Sequence, residues 1–191
     1  MRYDILLAGV GGQGVLSMAS IIGRAALAEG LFVKQSEVHG MAQRGGAVVA
    51  HLRLSRGPIA SDLIPRGTAD LILSLEPVEA LRYLEYLVPG GAVVSSTNAF
   101  VNIPDYPESD AVLARIRAVA PRAILVDAEA IAYEAGDVVA SNAAIVGAAA
   151  GFLPLEPRSL ESALETSFAA KGKRAVEISL KAFRAGRTAA T

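Results

Sequence analysis

The chain of 191 residues has no cysteine and no tryptophan, and it has only two histidines. Without cysteine it cannot form a disulfide or hold an iron–sulfur cluster or thiolate zinc site with its own side chains. Aromatic residues make up 5% of the chain and hydrophobic residues 52%, so the core must be built from Ala, Val, Ile and Leu. The length fits one domain over residues 1–191 with a sizeable core.

The sequence also lacks an excess of charge and a long apolar run. Its 18 basic and 19 acidic residues nearly cancel, so no strong field attracts nucleic acid or an anionic membrane. The longest apolar run, residues 143–153, is too short and too rich in Ala and Gly to span a bilayer. Asp4 interrupts the region where a signal peptide needs apolar residues. These absences favour a cytoplasmic protein.

Strand-like and helix-like stretches alternate along the chain. A buried strand at 3–8, a helix at 15–29 and a strand at 31–35 predict a βαβ opening. Further strands are predicted at 47–54, 70–75, 92–96 and 123–126, and helices at 76–88, 110–119 and 129–135, with a turn at 89–91 and a loop at 102–107. Beyond residue 142 the chain predicts only helices, at 142–153, 159–170 and 174–184. The pattern predicts an α/β fold, a Rossmann-like doubly wound and mostly parallel sheet with a helical C-terminal segment.

The first of two glycine-rich loops directly follows the first strand. Its members are Gly9, Gly11, Gly12, Gln13 and Gly14. The spacing of Gly9, Gly11 and Gly14, between a strand and a helix, indicates an anion site in which backbone N–H groups face a phosphate. The alternative is that these glycines only permit a tight turn and close packing of the helix on the sheet. The pattern alone leaves both open.

A dinucleotide site needs one more feature, an acidic residue at the end of the second strand. Gln35 and Ser36 occupy that place, and Glu37 comes slightly late. The nicotinamide interpretation is weakened but stays open. A P-loop triphosphatase is disfavoured, because Val15 stands where its lysine would be.

The second glycine-rich loop, residues 39–46, precedes the strand at 47–54. Gly40, Gly45 and Gly46 flank Arg44, whose guanidinium suits phosphate or carboxylate recognition beside backbone donors. An ordinary surface arginine in a turn is the alternative. His39 could act in acid–base chemistry or bind a metal, although a structural or hydrogen-bonding role is favoured for it. No metal site is predicted, and His51 is interpreted as structural.

Three segments together resemble a known family. They are residues 9–14, with the sequence GVGGQG, residues 36–46, with SEVHGMAQRGG, and residues 70–82, with DLILSLEPVEALR. The chain resembles the γ domain of the 2-oxoacid:ferredoxin oxidoreductases, and within them the indolepyruvate branch. Asn142, Gly147 and the helical tail fit the same pattern, so the resemblance covers nearly the whole chain.

The resemblance implies a smaller, cluster-free subunit that is not active alone. A larger partner subunit would carry thiamine diphosphate and iron–sulfur clusters. The pair would oxidatively decarboxylate an aryl 2-oxoacid to acyl-coenzyme A, CO2 and reduced ferredoxin. Gly9–Gly14 and Gly40–Gly46 would face the shared active site and bind the phosphates of coenzyme A or of a cofactor, with Arg44 as the charged anchor. A stand-alone NAD(P)- or flavin-dependent dehydrogenase and a non-catalytic ligand-binding module remain alternatives, and no catalytic residue is assigned.

Overall fold

A computed structural model describes residues 1–39, 45–101 and 104–190, and strands in this part of the chain form one six-stranded sheet. They are β1 (Arg2–Val10), β2 (Phe32–His39), β3 (Ala47–Ser55), β4 (Ala69–Ser74), β5 (Leu87–Ser96) and β6 (Arg122–Val126). Their order is β2-β3-β1-β4-β5-β6. Parallel pairing joins β1, β4, β5 and β6, whereas β3 is antiparallel to both of its neighbours, β1 and β2.

Helices cover both faces of this sheet. The described helices are α1 (Val15–Ala28), α2 (Pro77–Arg82), α3 (Ser109–Val119), α4 (Ala128–Ala135), α5 (Ser141–Ala149), α6 (Pro157–Phe168) and α7 (Lys173–Ala189). Alternate residues of β1 point to opposite faces, so Ile5 and Leu7 pack with α1 and α4–α7, while Leu6 packs with α2 and α3. The predicted α/β doubly wound fold with a helical C-terminal segment is confirmed. None of the helices described is long and apolar enough to cross a membrane.

The two neighbouring strands β1 and β4 send the chain to opposite faces. From β1 the chain passes through α1 on one face, and from β4 it passes through α2 on the other. The point where connections diverge in this way, at the carboxyl ends of the strands, is where doubly wound sheets form a crevice. The glycine-rich loop after β1 lies at this point.

The predicted βαβ opening differs from the structure in one respect. β2 runs in the same direction as β1, but β3 lies between them and pairs with both. Only residues 40–46 connect β2 to β3, and a connection this short joins antiparallel neighbours, because parallel pairing needs a long crossover. β2 also continues to His39 rather than ending at Gln35.

Several predicted boundaries are wrong. β1 continues to Val10 and so includes Gly9, and α7 continues to Ala189 rather than ending at residue 184. The stretch at 89–91 is not a separate turn, because β5 begins at Leu87 and includes it. Pairing with β4 is irregular there, and Gly90 has a φ of +80°, which explains the turn-like sequence. The helix predicted over 76–88 ends at Arg82 and is followed by a short 3-10 turn, and the helix predicted over 142–153 ends at Ala149.

A buried ion pair lies at the amino end of β1, the end opposite the glycine-rich loop that follows this strand. Arg53 of β3 donates from Nε and Nη2 to the two carboxylate oxygens of Asp4, at 2.9 and 3.0 Å. Its Nη1 also donates to the backbone oxygens of Ser61 and Leu63, at 3.0 and 2.8 Å. Arg53 therefore holds the β3–β4 connection against β1, the strand that carries Asp4.

Candidate functional site

Gly45 and Gly46, at the end of the second glycine-rich loop, lie beside Gly11 at the carboxyl end of β1. The N–H of Gly11 donates to the oxygen of Gly46 at 2.8 Å, and the N–H of Gly45 donates to the oxygen of Gly11 at 3.2 Å. These bonds continue the antiparallel pairing of β1 with β3, in which Val10 faces Ala47. The structure thus brings Gly11 together with Gly45 and Gly46.

Two of the predicted site residues, Gly40 and Arg44, lie outside the described residues. His39 ends β2, but its side chain is also outside what the structure describes. The roles proposed for Gly40, Arg44 and His39 therefore remain predictions from the sequence.

The glycines of the first loop serve different purposes. A Cβ atom on Gly9 would lie 2.8 Å from Cγ2 of Val15, so glycine is needed there for close packing of α1 on β1. Gly12 and Gly14 have φ values of +105° and +94°, which strongly favour glycine. A Cβ on Gly14 would in addition lie 3.0 Å from Nδ2 of Asn142. The packing alternative accounts for Gly9, whereas Gly12 and Gly14 shape the turn itself.

The side chain of Gln13 points inward and bonds to backbone. Its Oε1 accepts from the N–H of Val10 at 2.8 Å, and its Nε2 donates to the oxygen of Leu75 at 3.4 Å. Gln13 thereby connects the loop after β1 to the chain that follows β4. The geometry assigns this side chain to holding the loop in shape rather than to direct ligand contact.

Several backbone donors at the start of α1 are available to a ligand. Within residues 1–39, 45–101 and 104–190, four N–H groups of the turn have no acceptor: those of Gly12, Gly14, Val15 and Leu16. No side chain caps the helix, and the exposed Ser17 adds a hydroxyl on the same turn. Because the positive end of the helix dipole also lies here, the arrangement favours an anion such as a phosphate.

These donors line a cavity of about 400 Å³, which we call the glycine pocket. The described residues that line it are Val10, Gly11, Gly12, Gly14, Val15, Leu16, Ser17, Glu37 and Val48. Glu37 is the one ionisable side chain among them. The sequence placed Glu37 too late for a strand-end acid, but β2 is longer than predicted and carries it to the pocket. Ser17 and Leu16 were missed, although a first-turn serine after a glycine loop is a usable signal.

Glu76 and Glu79, after β4, make interactions that account for their burial. Glu76 caps α2 by accepting from the N–H of Glu79 at 2.8 Å, and it also accepts from the N–H of Phe100 and the hydroxyl of Tyr106. Burial, and then the bond to Glu76, raises the pKa of Tyr106. Burial likewise raises the pKa of Glu79, although Arg82 donates to its carboxylate. This cluster holds the segment after β5 against the carboxyl edge of the sheet.

His51 lies on the opposite side of β3 from α1 and is buried. Its Nδ1 accepts from the N–H of Ile64 at 3.1 Å, and its ring meets that of Tyr86 edge-on. Burial lowers the pKa of the imidazole, which favours the neutral acceptor form. These contacts explain His51 as part of the fold.

Comparison with known proteins assigns the chain to a class. Residues 4–189 match the family model described as pyruvate ferredoxin/flavodoxin oxidoreductase, and the chain belongs to this family of oxidoreductase subunits and domains. The resemblance found in the motifs is therefore confirmed.

The chain is also similar to individual named proteins of this family. The chain is 40% identical to indolepyruvate oxidoreductase subunit IorB of Archaeoglobus fulgidus, over 97% of this chain and 94% of that protein. It is 38% identical to the subunit of the same name from Pyrococcus horikoshii, over 99% and 96% of the two chains. With ketoisovalerate oxidoreductase subunit VorA of Methanothermobacter thermautotrophicus it shares 28% identity, over 95% of this chain but only 35% of that one.

Solved structures show the same fold. The γ subunit of a keto/oxoacid ferredoxin oxidoreductase from Geobacter sulfurreducens superposes with a TM-score of 0.70 at 23% identity, covering 98% of each chain. A 2-oxoglutarate:ferredoxin oxidoreductase from Magnetococcus marinus, with 2-oxoglutarate, coenzyme A and succinyl-CoA bound, gives a TM-score of 0.78 at 22% identity. That match covers 99% of this chain and 31% of the other, so the shared fold is about a third of the longer protein.

Proposed function

We propose that the chain is the smaller, cluster-free subunit of a cytoplasmic indolepyruvate-type 2-oxoacid:ferredoxin oxidoreductase. As a single γ-type domain it acts with a larger subunit that holds thiamine diphosphate and iron–sulfur clusters. The complex oxidises and decarboxylates an aryl 2-oxoacid, transfers the acyl group to coenzyme A and passes the electrons to ferredoxin. The glycine pocket of this chain binds a phosphate of coenzyme A or of another cofactor.

The observation that carries this proposal is the group of unpaired backbone donors in the glycine pocket. The N–H groups of Gly12, Gly14 and Leu16 find no acceptor within the described chain, and they lie at the uncapped start of α1. Free backbone donors at a helix start, together with the positive end of the helix dipole, favour an anion there, and a phosphate supplies the acceptors. Identity of 40% to a subunit named for indolepyruvate supports the choice of an aryl substrate.

Two observations support a larger partner. The chain has no cysteine, so electrons cannot pass through a cluster of its own. In VorA and in the Magnetococcus protein, the matching segment is 35% and 31% of a longer chain. We infer that the remaining machinery is supplied here by a separate subunit, and we expect no turnover from this chain alone.

A proline at position 16 tests the donor role directly. Leu16→Pro deletes one N–H in the first turn of α1, where proline is tolerated in a helix, and Leu16→Ala removes the same side chain but keeps the N–H. A hydrogen bond to a charged acceptor contributes about 1.5–3 kcal/mol, so the KM for coenzyme A should rise roughly 10-fold to 100-fold in the proline variant of the assembled enzyme.

The alanine variant should leave this KM within about twofold, since it keeps every backbone donor. An unchanged KM in Leu16→Pro, with intact assembly, would show that the pocket does not bind coenzyme A. Arg44→Ala is the companion variant. If Arg44 is the charged anchor, its loss should also raise the KM for coenzyme A, and an unchanged KM would show that Arg44 does not bind this ligand.

Glu37 favours a second candidate, a stand-alone nicotinamide-dependent dehydrogenase. A carboxylate near a glycine-rich anion site is how a dinucleotide ribose is held in many such enzymes, and Glu37 lines the glycine pocket. Here, however, β3 separates its strand from β1. Stoichiometric binding of NAD(H) by the purified chain would support this candidate, and its absence would leave the oxidoreductase subunit.

A further inference from the structure

The two edges of the sheet differ in length and in how they are protected. β6, at one edge, has five residues, whereas β2, at the other, has eight. Proteins commonly protect an edge strand by keeping it short, by a proline, by a bulge or by charged side chains along it. β2 contains no proline, and it pairs with β3 in an unbroken register. β2 is therefore the edge to which another strand can be added.

The charged side chains of β2 are turned toward their own chain. Lys34 donates from Nζ to the backbone oxygen of Ala60 at 3.1 Å, and Glu37 lines the glycine pocket. Two large apolar side chains of the strand are exposed instead, Phe32 at 49% and Val38 at 55%. The edge thus carries apolar surface where charges would usually prevent pairing.

The outward-facing backbone groups of β2 can be identified from the neighbouring strands. The N–H of Arg56 donates to the oxygen of Met1 at 3.1 Å, so the even-numbered residues of β3 bond to β1 and the odd-numbered ones to β2. The latter pair with the even-numbered residues of β2. The odd-numbered residues of β2 therefore face the open edge, and within residues 1–39, 45–101 and 104–190 no strand pairs there with Val33 or Gln35.

A second copy of β2 fits this edge in one register better than in the others. Opposed residues of antiparallel strands lie on the same face, so a two-fold axis must pass between a residue and its own copy. An axis at Lys34 or Glu37 would place like charges directly opposite each other, which is unfavourable. An axis at Gln35 places Phe32 opposite Val38 of the second copy, so that the exposed apolar side chains meet in pairs.

The two remaining registers match less well. An axis at Ser36 puts Lys34 opposite Val38 of the second copy and moves Phe32 beyond the end of the opposing strand. An axis at Val33 leaves most of β2 without an opposing residue. The strand is thus complementary to itself about Gln35, which favours a second copy over an unrelated strand.

We propose that two copies of this chain pair through their β2 strands, antiparallel and centred on Gln35. The N–H of Gln35 in each copy donates to the backbone oxygen of Gln35 in the other, and Phe32 of each packs against Val38 of the other. The two six-stranded sheets then form one continuous sheet. This inference concerns the edge of the sheet and does not depend on what the glycine pocket binds.

A proline at position 35 tests the pairing in the purified full chain. Gln35→Pro removes an outward N–H but no bond to β3, and proline is tolerated in an edge strand at such a position. Gln35→Ala is the matched control, because it keeps the N–H. In sedimentation at increasing concentrations, the parent and Gln35→Ala should reach twice 19.7 kDa, whereas Gln35→Pro should stay at 19.7 kDa. A monomeric parent, or a proline variant that dimerises as the parent does, would overturn the inference.

Single cysteines test the register independently, since the chain has no cysteine of its own. In Gln35→Cys the two Cα atoms would lie about 5.5 Å apart across the axis, a distance that a disulfide spans. Val38→Cys is the control, because Val38 is also exposed but lies roughly 20 Å from its own copy at about 3.4 Å per residue. In a glutathione buffer Gln35→Cys should give at least about tenfold more covalent dimer than Val38→Cys. Equal yields would refute the register.

Capture by the larger subunit distinguishes a different occupant of the edge. If that subunit supplied the strand beside β2, the parent chain alone would remain monomeric and Gln35→Pro would lose capture, which would overturn the proposal. We expect the larger subunit to capture Gln35→Pro as well as it captures the parent, because the proline changes only the contact between the two small chains.

Discussion

The close contact between the backbones of α5 and α7 leads to a prediction about the stability of the protein. Gly147 of α5 and Gly186 of α7 face each other's helix with no room for a side chain. A Cβ on Gly147 would lie 2.0 Å from the backbone oxygen of Phe183, and a Cβ on Gly186 would lie 2.0 Å from that of Ala144. Because backbone cannot swing aside as a side chain can, Gly147→Ala must push the two helices apart.

The magnitude follows from two opposing effects. Replacing glycine by alanine within a helix gains about 1 kcal/mol from intrinsic propensity. Overpacking a core costs about 1–3 kcal/mol and sometimes more, and a backbone contact at 2.0 Å belongs at the high end. We expect Gly147→Ala to lower the free energy of unfolding by about 2 kcal/mol, which in a chain of this length lowers the Tm by about 4–8 °C.

Gly23→Ala is the control with the opposite sign. Gly23 is also a buried helical glycine, in α1, but a Cβ there would lie 3.5 Å from Val33 and 3.9 Å from Leu52, which is ordinary contact. This variant should be as stable as the parent or gain up to about 1 kcal/mol. Circular dichroism during heating measures all three proteins. A Tm for Gly147→Ala equal to or above that of Gly23→Ala would refute the argument. In the double variant Gly147→Ala/Gly186→Ala, the loss of free energy of unfolding should be smaller than the sum of the two single losses, because one separation of the helices relieves both contacts.

Two further predictions concern the polar core. Arg53→Met removes the buried bidentate partner of Asp4 and leaves it only the exposed Arg2, whose Nε lies 3.2 Å from Oδ2. The free energy of unfolding should fall by about 3 kcal/mol, the low end for a broken buried pair. Urea denaturation measures it, and a loss below about 1 kcal/mol would mean that the pair is not buried in solution. Burial lowers the pKa of His51 in the folded protein, so as the pH falls the unfolded chain binds the proton first. The contribution of His51 to stability should therefore be complete above its usual pKa of 6.5 and should be lost as the pH falls toward the lowered pKa of the folded state. His51→Asn keeps an acceptor near the N–H of Ile64 but cannot titrate. Its stability should therefore change less between pH 6.5 and 5 than that of the parent, and identical pH profiles would contradict the assignment.

Local sequence was sufficient for the first glycine-rich loop. Gly9, Gly12 and Gly14 follow a run that can only be a buried strand and precede an uninterrupted helix, so the strand–turn–helix context was predictable. The same reasoning could not distinguish their roles. Gly9 is required by the position of Val15, while Gly14 is required by its own φ, and the sequence pattern treats both alike.

The features that were missed depend on contacts distant in the sequence. Glu37 reaches the glycine pocket because β2 continues to His39, although β3 lies between β2 and β1. Strand length and strand order are settled by packing of the whole sheet, not by the residues around Glu37. The role of Gln13 depends on Leu75, which is 62 positions away.

The choice of glutamine at position 13 follows from the same contacts. The side chain must accept from the N–H of Val10 and donate to the oxygen of Leu75, at 2.8 and 3.4 Å. A glutamate could accept but not donate, and it would place a negative charge beside donors that face an anion. A lysine could donate but not accept. A neutral amide of this length satisfies both bonds without charge, which keeps the loop in one shape while leaving the donors of Gly12, Gly14 and Leu16 to the ligand.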